Sequence, residues 1–165
     1  MTKLRSKQIR TMTETEKAYI AGIVDGEGWI GISLKKGSIA KTTKRGYCFR
    51  PAMTVSMTNK PLLDYICSVT GLGNIKTRCR QKPHHSIPYS WDLWSNQVRQ
   101  LLEVIMPYLR LKLPQAEVVL DFCRAKTDGN RQGLSDDQWK QQELAYAKLR
   151  ELNKRRKRED LCSIS

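Results

Sequence analysis

The stretch Ile20-Ala-Gly-Ile-Val-Asp-Gly-Glu-Gly28 decides how this chain folds. It continues a helix that begins at the capping box Thr13-Glu-Thr-Glu16, where the hydroxyl and the carboxylate satisfy free N–H groups of the first turn. The two glycines at 26 and 28 predict that the helix stops at Asp25-Gly26-Glu27-Gly28. Four residues near one face of the helix are small or short, namely Ala18, Ala21, Gly22 and Asp25. A second helix could therefore approach closely along this face, backbone against backbone.

The residues that follow predict a sheet flanked by helices. Alternation of apolar and polar residues predicts four strands, at 29–35, 50–58, 74–80 and 89–94. Caps and glycine or proline stops predict four more helices, at 62–69, 96–106, 115–126 and 135–158. The order α-β-β-α-β-β-α, followed by two more helices, indicates an α+β fold in which two hairpins form one antiparallel sheet. The helices would cover its apolar face and leave a concave polar face open.

The chain divides into three segments. Residues 1–12 are basic without periodicity and are predicted to form a flexible arm, residues 13–126 to form the core, and residues 127–165 a helical extension. The extension contains the basic run Lys154-Arg-Arg-Lys-Arg158. That run is either a phosphate-binding tail or the solvated end of a charged helix, and we favour phosphate contact.

The composition is strongly basic. The 165 residues include 30 Lys plus Arg against 16 Asp plus Glu, which gives a formal net charge of +14 at pH 7. Residues 1–112 contain 19 of these basic residues and 7 of the acidic ones. Such an excess favours a polyanionic partner, nucleic acid before a membrane surface, because each phosphate that a protein neutralises releases counterions.

Several classes of protein are excluded. Even with Ala18 before it, the apolar run Tyr19–Val24 is far too short to span a membrane, and the N-terminal residues lack the apolar segment of a signal peptide. The five cysteines contain no Cys-x-x-Cys pair, so neither a zinc finger nor a disulfide scaffold is indicated. We therefore expect a soluble intracellular protein, in the cytoplasm, nucleoid or an organelle, with no membrane partner.

The open sheet face is predicted to bind nucleic acid. It would expose hydrogen-bonding groups and charge with little bulky apolar surface, through Ser33, Lys35, Arg50, Thr54, Ser56, Lys76, Arg78 and Arg80. An ordinary solvated face of an antiparallel sheet mixes charges of both signs, whereas these three strands contribute cations and no acid. A strand of eight residues spans about 27 Å, so it could follow roughly eight base pairs along a major groove.

The end of the first helix predicts phosphodiester chemistry. Gly26 and Glu27 place a carbonyl and a carboxylate where two such helices would meet, and oxygen ligands of this kind suit Mg²⁺. A paired helix would bring two acids together at a phosphodiester. Metal-assisted hydrolysis needs this arrangement, because metal ions activate water and stabilise the leaving oxygen.

The segment Ile20–Gly28 resembles the LAGLIDADG motif, and the order of elements around it resembles that of the homing endonucleases of that family. Pro107-Tyr-Leu-Arg-Leu-Lys112 followed by Gln115-Ala116 is similar to a second segment of single-motif members, and the resemblance covers residues 13–126. Since the motif occurs once, the resemblance implies a homodimer. The interface would contain Ala18, Ala21, Gly22 and Asp25, with the site on the two-fold axis.

The resemblance also implies roles for individual residues. Glu27 matches the acid that ligates the metal, which would be Mg²⁺ with other divalent cations such as Mn²⁺ also suitable, and Gly26 matches the residue that lends its carbonyl. Lys112 matches a basic residue that organises water at the reaction centre, and Asp25 matches a structural acid. Asn59 matches a polar position that holds solvent near the metal. It is an equally good helix N-cap, and both roles can hold at once.

The function that this resemblance implies is a site-specific double-strand DNA endonuclease of an intron or intein mobile element. It would cut a long, pseudo-palindromic target with a divalent metal and leave 3′ overhangs. The alternatives are a splicing maturase, with host intron RNA as a partner, or a DNA-binding regulator that keeps the fold and does not cut. A basic RNA-associated α+β protein is a third alternative. Glu27 and Lys112 together favour the enzyme, because a protein that only binds has no need of them.

Overall fold

The computed structural model describes residues 7–36, 45–79, 86–127 and 134–154, which form an α+β fold in the predicted order. The elements are α1 (Glu14–Glu27), β1 (Gly28–Lys36), β2 (Tyr47–Met57), α2 (Lys60–Thr70), β3 (Asn74–Thr77), β4 (Tyr89–Trp94), α3 (Asn96–Ile105), α4 (Leu113–Thr127) and α5 (Asp136–Leu152). A 3-10 turn, Met106–Tyr108, follows α3. Within these ranges no helix has both the length and the apolar character needed to cross a bilayer.

The four strands form one antiparallel sheet in the order β1-β2-β4-β3, which confirms the two predicted hairpins. The pairs Gly28 with Val55 and Ala52 with Trp94 set the register of the central strands. All helices contribute to one core: α1 and α3 contact β2, α4 contacts β1 and β2, α5 contacts β1, and α2 contacts β3 and β4. Because side chains alternate across a strand, this register separates an apolar face under the helices from a polar face.

The apolar face is the predicted one in most positions. Ile30, Met53, Trp91 and Leu93 are fully buried, which confirms the assignment of both β4 residues to the core. Leu34 shares their face but is 38% exposed, and it lies near the end of the hairpin where β1 and β2 are connected, close to the last pair, Lys36 with Tyr47. The alternation of apolar and polar residues therefore predicts correctly on which face a side chain lies. It does not predict how deeply the side chain is buried.

Helix α1 begins and ends as predicted. The capping box is present, with the Thr13 N–H donating to Glu16 Oε2 over 2.7 Å. The last residue of the helix is Glu27 and its C-cap is Gly28, within the predicted stop at residues 25–28. Gly28 then passes so close to the last turn that a Cβ on it would lie 2.5 Å from the carbonyl oxygen of Val24. The glycine at 28 therefore allows β1 to start directly where α1 ends.

Other element ends differ by a few residues. Strand β3 stops at Thr77 instead of reaching Arg80, which lies outside the described residues. Helix α5 has its predicted capping box at Ser135 but ends at Leu152, and the basic residues 155–158 also lie outside the described ranges. Ser95 precedes α3 without capping it through its side chain.

The part of the predicted flexible arm that the structure describes is held against the core. The backbone N–H of Arg10 donates to Thr70 O over 3.0 Å, and that of Ile9 donates to Gln100 Oε1 over 2.9 Å. Lys7 Nζ donates to Gly73 O over 2.5 Å. Met12 is buried. Residues 7–12 are thus an ordered strap across the ends of α2 and α3.

The predicted C-terminal extension also belongs to the core in its described part. Trp139 and Leu149 of α5 are buried among the residues of the main hydrophobic cluster. The Trp139 ring lies 5.4 Å from the ring of Tyr47 and 6.1 Å from that of Phe49, both on β2. Near the end of the helix, Asn153 Nδ2 donates to Ile30 O of β1 over 2.9 Å. Helix α5 therefore packs on the first hairpin.

Candidate functional site

The end of α1 presents oxygen ligands to solvent. Glu27, the last residue of the helix, is exposed, and no described residue donates a hydrogen bond to its carboxylate. A Cβ built on the exposed Gly26 meets nothing within 4 Å among the described atoms. The last carbonyls of a helix have no partner within it, and the helix dipole favours cations there. A free carboxylate beside such carbonyls is the kind of donor set that Mg²⁺ prefers, so these residues fit the metal.

The other acid of the motif is fully engaged within its own chain. The carboxylate of Asp25 accepts hydrogen bonds from the backbone N–H groups of Arg110 (2.7 Å), Leu111 (3.2 Å) and Lys112 (2.9 Å). These bonds fasten the segment before α4 to the end of α1. We predicted Asp25 as a structural acid at the interface between chains, and within its own chain its carboxylate positions the segment before α4.

Through these bonds Asp25 holds Lys112 near the exposed carboxylate of Glu27. Lys112 is half-buried, and its ammonium group donates to the backbone carbonyl of Asp25. Burial lowers the pKa of Lys112 from its ordinary value, against the opposing effects of the Asp25 and Glu27 carboxylates. The partly desolvated Lys112 is therefore close enough to the exposed Glu27 for the Glu27 carboxylate to affect its pKa.

Asn59 lies at the same end of the sheet as Glu27. It follows β2 shortly after Val55, which pairs with Gly28. Its Oδ1 accepts the N–H of Leu62 over 3.1 Å, so it is the N-cap of α2. The side chain is exposed. Its predicted role in holding solvent near a metal stays a prediction.

Among the described residues, no three histidine, cysteine or acidic side chains come together as a metal cluster.

The polar face of the sheet contains the predicted contact residues. Ser33 pairs with Arg50, Thr54 with Asp92, and Lys76 with Ser90, all on the side opposite the helices. The predicted residues that the structure places on this face are Ser33, Lys35, Arg50, Thr54, Ser56, Lys76 and Arg78. Arg80 is outside the described part of the chain. The face and the exposed acid thus belong to one continuous surface, since β1 starts directly after Glu27.

The sequence profile of the LAGLIDADG endonucleases matches residues 20–126 of this chain. The chain belongs to the LAGLIDADG endonuclease family. The match contains Gly26, Glu27, Asn59 and Lys112, so all four candidate site residues lie within the part of the chain that the profile covers. No curated protein matches the chain.

Solved structures show the LAGLIDADG fold. The archaeal intron-encoded homing endonuclease I-Vdi141I, complexed with DNA, is similar with a TM-score of 0.72 and 17% identity over 88% of this chain and 89% of that one. The homing endonuclease I-CvuI, in complex with the I-CreI target, gives 0.69 and 23% identity over 88% and 86%. I-SmaMI, bound to an uncleaved DNA target in the presence of calcium ions, gives 0.62 and 19% identity over 90% of this chain and 47% of that one.

The motif helix of this LAGLIDADG chain has an exposed face made of small residues. Ala18 and Gly22 are exposed, and a Cβ built on Gly22 meets nothing within 4 Å among the described atoms. Ala21 has 0% exposure and packs in the core of its own chain, so its side chain does not lie on this face as we had expected. The face therefore consists of Ala18, Gly22 and Gly26, spaced by one helical turn each.

A buried acid on the sheet face was missing from the sequence prediction. Asp92 of β4 is only 1% exposed, yet it lies among the cations of the LAGLIDADG sheet. It accepts hydrogen bonds from Arg78 Nη2 at 3.0 Å and Thr54 Oγ1 at 3.1 Å, and Lys76 Nζ lies 3.2 Å away. The alternation that assigned Trp91 and Leu93 to the core already placed residue 92 on this face. Asp92 fixes two neighbouring cations in defined positions.

Asp92→Asn should lower the free energy of unfolding by about 1–3 kcal/mol, because the charged acceptor of two cations is lost in a buried position. The half-exposed Lys76 and Arg78 can be rehydrated, which keeps the loss below that of a fully buried ion pair. Urea denaturation measures the effect. Asp64→Asn, which breaks the exposed pair with Lys60 on α2, is the matched control and should stay within about 0.5 kcal/mol. Equal losses in the two variants would contradict the role of Asp92.

Two tryptophans also lie on the face, where we had expected little bulky apolar surface. Trp29 covers Gly31, since a Cβ on that glycine would be 2.4 Å from the Trp29 ring. The Trp94 ring lies 4.7 Å from Lys35 Nζ and 5.5 Å from Arg50 Cζ. Cations held over an aromatic ring lose less freedom when they meet a ligand. The polar face of the sheet therefore holds Lys35 and Arg50 in defined positions over the Trp94 ring.

Proposed function

We propose that this chain acts as a homodimeric, site-specific DNA endonuclease that needs a divalent metal and cuts both strands of a long, pseudo-palindromic target, leaving 3′ overhangs. The observation that carries the proposal is the free carboxylate of Glu27 beside the half-buried Lys112, at the edge of a basic sheet face. A fold without catalysis would have no need to hold these two groups together.

Glu27 would hold Mg²⁺ through its carboxylate, and Gly26 would add its carbonyl. A bound Mg²⁺ supplies an activated water and stabilises the leaving oxygen of the phosphodiester. Lys112 would orient water and favour negative charge that develops in the reaction, with Asp25 keeping it in place. Asn59 would hold solvent from the neighbouring end of β2. Each chain contributes one such set of groups.

Two chains would meet through the exposed small-residue face of α1. Ala18, Gly22 and Gly26 allow the backbones of two helices to approach closely, and such contact would bring the two Glu27 residues side by side. An interface of identical patches is two-fold symmetric, so the DNA site would be pseudo-palindromic. Each chain would cover roughly eight or more base pairs, and two chains would therefore recognise a site of roughly twenty.

The DNA would lie on the polar face of the sheet. Lys35, Arg50, Lys76 and Arg78 supply positive charge there, and Ser33, Thr54 and Ser56 supply hydrogen-bonding groups. The similar structures of I-CvuI and I-Vdi141I are complexes with DNA, which supports DNA as the partner.

The direct test incubates the purified protein with Mg²⁺ and the intron-less form of its insertion site, and looks for a double-strand cut. Cleavage at one position that requires the metal supports the proposal. A protein that binds this DNA or the host intron RNA and cuts neither strand would instead be the maturase or regulator considered above. A protein that is monomeric in sedimentation and binds RNA without sequence preference would contradict the dimeric nuclease.

Lys112 should impose an alkaline limit on cleavage. Its pKa is lowered by burial, so it loses its proton at a pH below the ordinary 10.5, and the cleavage rate should fall as pH rises through that lowered value. Lys112→Arg keeps the charge to higher pH and should move the limit upward. Single-turnover rates across pH 7 to 10 measure both. An identical alkaline limit in the two proteins would show that another group controls it.

A further inference from the structure

Arg50 is held in place by neutral groups. Its Nε donates to Ser95 Oγ over 3.2 Å, and its Cζ lies 5.5 Å from the centre of the Trp94 ring. No described residue accepts a hydrogen bond from its two terminal nitrogens. Arg78 differs, because its guanidinium is paired with the buried carboxylate of Asp92. The positive charge of Arg50 is therefore not paired with a carboxylate of the described residues. Its two terminal nitrogens are oriented and free to donate hydrogen bonds to a ligand.

Ser95 adopts a backbone conformation that residues with a side chain avoid. Its φ is 53° and its ψ is −119°, and it is the one residue other than glycine with positive φ in the described ranges. A glycine would adopt this conformation without strain. The serine hydroxyl does not cap α3, but it accepts the Nε hydrogen of Arg50. Strained residues of this kind concentrate at functional sites.

The free edge of Arg50 has the geometry of a guanine-binding group. Two parallel N–H donors on a planar guanidinium match the O6 and N7 acceptors of guanine in the major groove. Arg50 pairs with Ser33 on the polar face. We propose that Arg50 recognises one guanine in each half of the target, with Ser95 and Trp94 as positioning residues that fix its guanidinium. This inference rests on the proposed function and names one determinant of its specificity.

The test uses the full chain and a pool of randomised duplex DNA. The target that the wild-type protein selects is then remade with every single-base change, and the relative affinity and cleavage are measured for each. The wild type should prefer guanine at one position of each half-site by roughly 5- to 100-fold. Arg50→Lys keeps the charge but not the paired donors, so it should reduce that preference to less than threefold and leave the other positions unchanged.

Ser95→Gly separates the positioning role from a structural one. It relieves the positive φ and removes only the hydroxyl, so the melting temperature should stay the same or rise. The guanine preference should nevertheless weaken several-fold, at the same position that Arg50→Lys affects. Arg124→Ala on α4 removes an exposed cation that is paired with Asp121 and should leave every base preference unchanged.

Two outcomes overturn the inference. Arg50→Lys could leave the preference at every position unchanged, or Ser95→Gly could raise the melting temperature without affecting any base. In both cases the wild type would still select and cut a target, so the proposed function would stand. A wild-type protein that selects no sequence from the pool would overturn the proposed function together with the inference.

Discussion

Glu27→Gln should leave the protein able to bind its target and unable to cut it. Glutamine keeps the size of the side chain at the exposed end of α1 and replaces the carboxylate that we propose holds the metal by a neutral amide. The cleavage rate should fall by roughly 10³-fold or more, which corresponds to the several kcal/mol that a bound metal contributes to the transition state. The affinity for DNA should stay equal or rise slightly, because a negative charge near the phosphates is removed. Gel-shift titration and single-turnover cleavage, both in Mg²⁺, measure the two quantities.

Glu117→Gln is the matched control for this variant. Glu117 is exposed on α4, so the same loss of charge there should leave cleavage unchanged. Circular dichroism should be the same for the wild type and both variants. If Glu27→Gln retained more than a tenth of the cleavage rate, Glu27 would not be the metal ligand and another acid would have to replace it.

Gly22→Leu should separate two folded chains and abolish cleavage. In one chain the new side chain extends into open space, because a Cβ at Gly22 meets nothing within 4 Å among the described atoms. Leucine also favours a helix more than glycine by about 1 kcal/mol, so the single chain should be at least as stable. In a dimer two leucines would collide across the symmetry axis, which should raise the dissociation constant by roughly 100-fold or more. Sedimentation velocity measures the association.

The control for that variant places the same side chain on another exposed helix position. Ala147→Leu on α5 should remain dimeric and active, since Ala147 lies on a solvent-facing part of its helix. The far-UV circular dichroism of Gly22→Leu should be that of the wild type. A Gly22→Leu protein that stays dimeric and cuts DNA would show that the chains associate through another surface.

The elements of this fold could be predicted because their signals are local. The capping boxes at Thr13 and Ser135, the cap at Asn59 and the stop at Gly71 each depend on residues a few positions apart, and the structure confirms them. Strict alternation in the hairpins likewise gives the two faces of the sheet from neighbouring residues. The end of α1 also falls within the predicted stretch 25–28, and the bonds between Asp25 and Arg110–Lys112 fasten its last turn from outside.

The remaining parts of the candidate site depend on contacts between residues far apart in the sequence. The partners of Asp25 are 85 to 87 positions away, and no local pattern reports them. Ala21 lies near the small-residue face in sequence spacing, but the helix is rotated so that Ala21 contacts the core. The alternation along β4 predicts that Asp92 lies on the polar face. Its burial could not be predicted in this way, because it depends on Lys76 and Arg78, which lie elsewhere in the sequence. The strap at 7–12 has no periodicity, and its order arises from carbonyls of α2 and its following loop.

Helix α5 gives the sheet a protected edge. Strand β1 is one of the two outer strands of the sheet, and an uncovered outer strand is a template on which other chains can add and aggregate. Asn153 donates a hydrogen bond to the Ile30 carbonyl of this strand. Trp139 packs on the rings of Tyr47 and Phe49 near the end of the hairpin. The family profile matches the chain as far as residue 126, before this helix. A fragment cut there should keep every proposed catalytic residue but lose the cover on β1, so we expect the smallest stable protein to be longer than the stretch that the profile matches.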